Sequence, residues 1–136
     1  MATYTATEAQ AGTQPKGLRV GLCAVTSFYS FVGSVSATTT VQMVKVPAGA
    51  TPVLIRISNN SPGDSSFLVG DGNSTGRFLA ATTLTAGQGM IVCNLPVGAL
   101  YTYSVDDTID ILVSTTSIGT LGGALYLHAI FSMDVN

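Results

Sequence analysis

The chain has 136 residues with five basic and seven acidic side chains, a formal net charge of -2 and a single histidine. A soluble domain carries about a quarter of its residues as Asp, Glu, Lys or Arg, so this one meets water chiefly through Ser and Thr, 31 of them. The scattered cations exclude a phosphate-tracking nucleic-acid binder, and so few ionisable groups point away from a catalytic cleft and toward a structural protein without enzymatic activity or cofactor.

The length suits one domain with a real core. The longest apolar run, Ala124 to Phe131, is interrupted by His128 and falls short of the ~20 residues of a membrane-spanning helix, so no membrane partner is expected. The start, Met1 to Thr13, is polar and lacks the cationic-then-apolar order of a secretory signal, which predicts production in a cytoplasm. Cys23 and Cys93 lie in apolar surroundings and read as small buried hydrophobes rather than a disulfide.

Residues 1–16 are mostly Thr, Ala, Gln and Gly with Pro15 near the end. No hydrophobic period survives there, which predicts a flexible arm that orders against a partner. Residues 17–136 are expected to form the domain. Leu18 to Phe31 is a largely apolar strand closed by Gly33, and Val35 to Val46 is rich in β-branched residues, which favour a pleated surface. Pro47-Ala48-Gly49-Ala50-Thr51-Pro52 breaks that run. Val53 to Ile57 is a short strand with Val53, Ile55 and Ile57 on one face and Arg56 on the other. Turn residues at 59–64 precede a strand at Ser66 to Val69, which the cluster from Gly70-Asp71-Gly72 to Gly76 ends. Arg77 to Thr83 and Gly89 to Leu95 follow, and Pro96 stops the second. Ile109, Ile111 and Val113 then alternate with Thr108, Asp110 and Leu112. In the last segment Leu125, Leu127, Ala129, Phe131 and Met133 oppose Tyr126, His128 and Ile130. Eight or nine strands with turns at this spacing, and no capped helical period, predict an all-β fold: a single β-sandwich of jelly-roll type.

The motifs that could carry chemistry all have a simpler reading. One histidine, with no local nucleophile motif, makes no triad. Cys23, Cys93 and His128 lack the paired spacing of zinc ligands. Gly70-Asp71-Gly72-Asn73 has too few carboxylates for calcium and reads as a tight turn in which Asp71 accepts from nearby amides. Asp106, Asp107 and Asp110 form the densest acidic group, but adjacent residues entering a strand point to opposite faces, so one of them is expected to cap the turn after Tyr103. Tyr101 and Tyr103, two apart, share a face.

Val69-Gly70-Asp71-Gly72, Arg77-Phe78-Leu79-Ala80, Tyr101 with Val105 to Asp110, and Gly122 to Tyr126 together resemble small structural proteins of tailed bacteriophages. Val44 to Ala50 is similar to the strand-and-turn opening of that group, and the likeness covers roughly residues 41–133. The resemblance implies a head decoration, or cement, protein: a trimeric β-rich subunit that binds the major capsid protein and resides in the virion head, assembled in the host cytoplasm. Thr3, Tyr4, Thr5, Gln10 and Gln14 in the arm are then the candidate capsid contacts. Pro47, Gly49, Gly70, Asp71, Gly72, Asp106 and Asp107 are expected as structural turns. The alternative is a tail-associated receptor- or carbohydrate-binding sandwich.

Overall fold

The computed structural model describes residues 3–6, 21–60, 65–84, 91–93, 101–114 and 123–133, and every regular element among them is a strand. In chain order these are β1 (Thr3–Thr5), β2 (Gly21–Ser30), β3 (Thr40–Val46), β4 (Ala50–Asn59), β5 (Ser65–Asp71), β6 (Leu79–Leu84), β7 (Ile91–Val92), β8 (Asp107–Val113) and β9 (Ala124–Met133). They form a five-stranded sheet ordered β1-β3-β8-β5-β6 and a four-stranded sheet ordered β2-β9-β4-β7. The chain is therefore an all-β sandwich. With β1 set aside, all pairings are antiparallel. The two interleaved orders 3-8-5-6 and 2-9-4-7 are those of a jelly roll, two Greek keys that leave few open edges.

Period-2 patterning places the core. Leu125, Leu127, Ala129 and Phe131 of β9 and Ile109, Ile111 and Val113 of β8 are fully buried, and they meet Ile55, Ile57, Phe67, Val69, Met43 and Val46 between the sheets. Burying side chains of this size stabilises the fold by about 1.5–3 kcal/mol each.

Two bulges change the face assignments that strict alternation predicts. The break expected at Pro47 to Pro52 is shorter than the sequence suggests, because β4 already begins at Ala50 and carries Pro52 within it. The register with β9 shifts between Pro52 and Leu54, and a bulge of this kind accommodates a residue with no N–H to donate. The extra residue reverses the phase: Pro52 is buried, Val53 is not, and Ile55 and Ile57 are. Val53 thus leaves the face it was expected to share. A second shift between Gln42 and Val44 in β3 brings Met43 and Val44 both into the core.

Other boundaries also move. β3 starts at Thr40 rather than Val35, after a turn in which Thr38 adopts φ 68°, a costly geometry for a β-branched residue. Gly70 and Asp71 belong to the end of β5, and the turn itself begins at Gly72. Arg77 and Phe78 precede β6 instead of starting it. Residues 61–64 of the expected turn and the stop at Pro96 lie outside the described residues.

The first strand is an addition to the jelly roll. β1 pairs in parallel with β3, Tyr4 opposite Val41, and the Ala6 amide donates to the Gln42 carbonyl at 2.7 Å. Ala6 is 1% exposed. The Tyr4 ring lies 5.5 Å from that of Tyr29 in β2, so this short strand bridges the seam between the two sheets.

Candidate functional site

Three connections meet at one end of the sandwich, and Asp71 organises them. Its side chain is fully buried. Oδ1 accepts from the amides of Asn73 at 3.0 Å and Ser74 at 2.8 Å, closing the turn between β5 and β6. Oδ2 accepts from Arg77 Nε at 2.5 Å and from the Tyr103 hydroxyl at 3.1 Å. The Arg77 guanidinium in turn lies over the Tyr101 ring, 3.7 Å from its centroid, and Tyr101 meets Tyr103 edge-on at 4.9 Å. Arg77 Nη2 also reaches Oδ1 at 3.4 Å; a buried carboxylate with five donors is compensated, and the same donors occupy its oxygens, so a cation would have to displace one. Arg77 is held protonated mainly by its hydrogen bond to Asp71. Tyr103 is pushed far above the ordinary phenol range, first by burial and then by the Asp71 charge.

The other turn residues are stitched to this centre. The Ala48 amide, between Pro47 and Gly49, donates to Asp106 Oδ1 at 2.9 Å. The Gly49 amide donates to the Tyr103 carbonyl at 2.7 Å, and the Tyr103 amide donates to that of Ala50 at 3.0 Å. Gly49 has φ 88°, where an L side chain is strained. A Cβ on Gly70 would come within 2.0 Å of the Ser74 carbonyl oxygen, and one on Gly72 within 3.0 Å of Asp107 Oδ1. Pro47, Gly49, Gly70, Asp71, Gly72, Asp106 and Asp107 thus converge on one end. Asp106 caps the β3–β4 turn, whereas Asp107 Oδ1 accepts from the Thr108 amide. Sequence reasoning did not assign Arg77 or Tyr103 to this network. The available signal was the pairing of scarce charges, since a cation six residues after a turn Asp closes back on it.

Asp110 stands apart. It lies between Gln42 of β3 and Gly70 of β5 in register, is 8% exposed, and its Oδ1 is buried without a partner. Burial raises its pKa to about 7, Asp107 and Asp71 add to the rise, and a hydrogen bond from Thr108 opposes it.

The remaining candidates do not assemble into a reactive site. His128 Nδ1 is 2.7 Å from Thr26 Oγ1 on the outer face of the four-stranded sheet. Cys23 and Cys93 are free and buried, and burial pushes the Cys93 thiol up to about 12. Among the described residues no three His, Cys, Asp or Glu side chains gather to hold a metal. Of the arm candidates, Thr3, Tyr4 and Thr5 form β1, with Thr3 and Tyr4 exposed; Gln10 and Gln14 lie outside the described residues.

Comparison with known proteins gives the fold a context. No family model matches the chain, and no curated protein matches it significantly. Solved structures do. A chain in the capsid of Ralstonia phage GP4 superposes with a TM-score of 0.82 at 13% identity, over 98% of this chain and 99% of that one. A chain of the cyanophage Pam1 capsid asymmetric unit gives 0.71 at 17% identity, over 90% and 92%. A chain of the acid-stable capsid of Helicobacter pylori bacteriophage KHP30 gives 0.51 at 15%, over 79% and 93%. At these identities the shared property is the fold.

Proposed function

We propose that this chain is a non-enzymatic virion structural subunit of a tailed bacteriophage, a head decoration protein that binds the major capsid protein and reinforces the shell as a homotrimer. The observation that carries the reading is the mutual coverage with the chain from the Ralstonia phage GP4 capsid, 98% of one and 99% of the other. The likeness runs over nearly the full length of both chains. The chemistry agrees. The buried polar network at the end of the sandwich is satisfied internally and fixes three connections, which suits a rigid building block. Leu22, Phe28, Val32, Val92 and Val105 remain substantially exposed, a supply of apolar surface for neighbours to cover.

The test is particle occupancy. In the phage that encodes the chain, the subunit is expected on the outside of the head in electron cryomicroscopy, and particles lacking it are expected to lose DNA at lower temperature than complete ones. Deletion of the arm, residues 1–16, should lower occupancy, because Thr3, Tyr4, Thr5, Gln10 and Gln14 are candidate shell contacts. Particles with no copy on the head exterior refute the proposal; full occupancy by the truncated chain refutes the role of the arm alone.

A further inference from the structure

β2 is an edge strand without the usual protections. It ends the four-stranded sheet, and among the described residues no strand lies beyond it. It is ten residues long, and its register with β9 runs without a bulge from Gly21 opposite Met133 to Ser30 opposite Ala124. It holds no ionisable charge of the Asp, Glu, Lys, Arg or His kind and no proline. Shortness, charge, proline and bulges are the devices that keep an edge from pairing with another chain. The other edges, as described, are short or irregular: β1 has three residues and β7 two, and β6 has six with a register shift in its pairing to β5.

The ladder shows which groups of β2 face outward. The Phe31 amide donates to the Gly123 carbonyl, at the residue pair that continues the β2–β9 register. Alternate residues of an antiparallel strand turn their N–H and C=O to opposite sides. Odd-numbered residues therefore bond to β9, while Leu22, Ala24, Thr26, Phe28 and Ser30 turn theirs away from it. The side chains of these five are all exposed, whereas Tyr126, His128, Ile130 and Ser132 on the same face of β9 are half-buried. Two of the five are large and apolar, Leu22 at 64% and Phe28 at 44% exposure; the other exposed large hydrophobics, Tyr4, Val32, Val92 and Val105, lie on other segments.

We propose that β2 pairs antiparallel with β2 of a second copy across a two-fold axis at Val25, so that Leu22 of each copy lies opposite Phe28 of the other and Ala24 opposite Thr26. This register sets outward-turned N–H and C=O groups against each other and covers the exposed Leu and Phe side chains in cross-strand pairs. A second copy fits better than a foreign strand because β2 is its own complement. Its two large exposed side chains stand three residues either side of Val25, and no charge on the strand opposes its own image. The nearest ionisable group on that face, His128 opposite Thr26 in β9, lies three strand spacings from its counterpart, about 14 Å, beyond the ~8 Å screening length of physiological salt. The contact is isologous and closed: it uses up both open edges, joins two four-stranded sheets into one continuous sheet and does not propagate. It goes beyond the proposed function, since a two-fold contact builds no trimer and instead joins a copy in one trimer to a copy in the next.

Cross-linking and sedimentation velocity of the full chain test it. The variant carrying both Leu22→Cys and Phe28→Cys is expected to form disulfides between copies under mild oxidation, mapped to positions 22 and 28 by peptide mass spectrometry. Within one strand these positions stand about 20 Å apart, too far for a disulfide, so the link reports pairing of copies. Ala24→Lys puts a charge on the open edge, and Ala24→Pro removes an outward-turned N–H while sparing the ladder to β9. Each is expected to weaken wild-type association at least about ten-fold, with Ala24→Thr within about three-fold of wild type and circular dichroism confirming the fold. A trimer held by other surfaces survives these variants, which then abolish only association beyond the trimer. Association unchanged by Ala24→Lys and Ala24→Pro, or associated chains that give no link between positions 22 and 28, overturns the β2 contact and leaves the proposed function standing. A wild-type monomer at every concentration overturns the contact and the trimer together, and shell binding is then judged separately by particle occupancy.

Discussion

Replacing Asp110 by Asn should make the protein more stable at neutral and alkaline pH and flatten its pH dependence. The carboxyl is 8% exposed with Oδ1 unpartnered, and its pKa rises from 3.8 to about 7 because burial disfavours the charged form. A carboxyl that binds its proton more tightly when folded favours the folded state below pH 4, and that contribution is lost as pH rises through about 7. At 1.36 kcal/mol per pH unit, the difference between acid and alkaline extremes is on the order of 4 kcal/mol. Asn preserves the shape and never ionises. Guanidinium denaturation followed by tyrosine fluorescence, in steps from pH 4 to pH 9 at fixed protein concentration, measures the effect. The wild type should lose stability across this range, and the difference between the two proteins should widen to several kcal/mol by pH 9. Parallel profiles for wild type and Asp110→Asn would refute the reasoning, because the carboxyl would then ionise alike in the folded and unfolded chain.

The Asp71 network predicts a graded response. Arg77→Met leaves a buried carboxylate without its cation and should cost about 3–5 kcal/mol, less to the extent that the partly exposed guanidinium is already screened by water. Tyr103→Phe removes one hydrogen bond to the same oxygen and should cost about 1.5–3 kcal/mol; equal losses in equilibrium unfolding would contradict the assignment of Arg77 as the compensating charge. Cys93 is buried with its thiol pushed up to about 12, so it should resist thiol reagents at pH 8 while the fold is intact and react on unfolding. Rapid labelling of native Cys93, read by peptide mass spectrometry, would show the site to be open.

The sequence by itself determined the all-β fold class and most of the strands. Scarce charge and Ser/Thr enrichment are properties of composition, and alternation such as Ile109-Ile111-Val113 fixes a buried face without knowledge of the partner strand. The interleaved arrangement that β2 to β9 take in a jelly roll is a choice of long-range pairing, and one strand's pattern does not contain it. Three features were decided only by tertiary structure. The bulges at Met43 and Val53 reverse side-chain phase because each strand must follow its neighbour's register, so strict alternation misplaces Val53. The Asp71–Arg77–Tyr103 network needs β5 and the segment before β8 side by side, and residues 32 apart reveal no such contact in sequence. Asp110 looks like an ordinary outward-facing strand residue; it is buried only once β8 lies between β3 and β5, and desolvation is a property of the assembled fold.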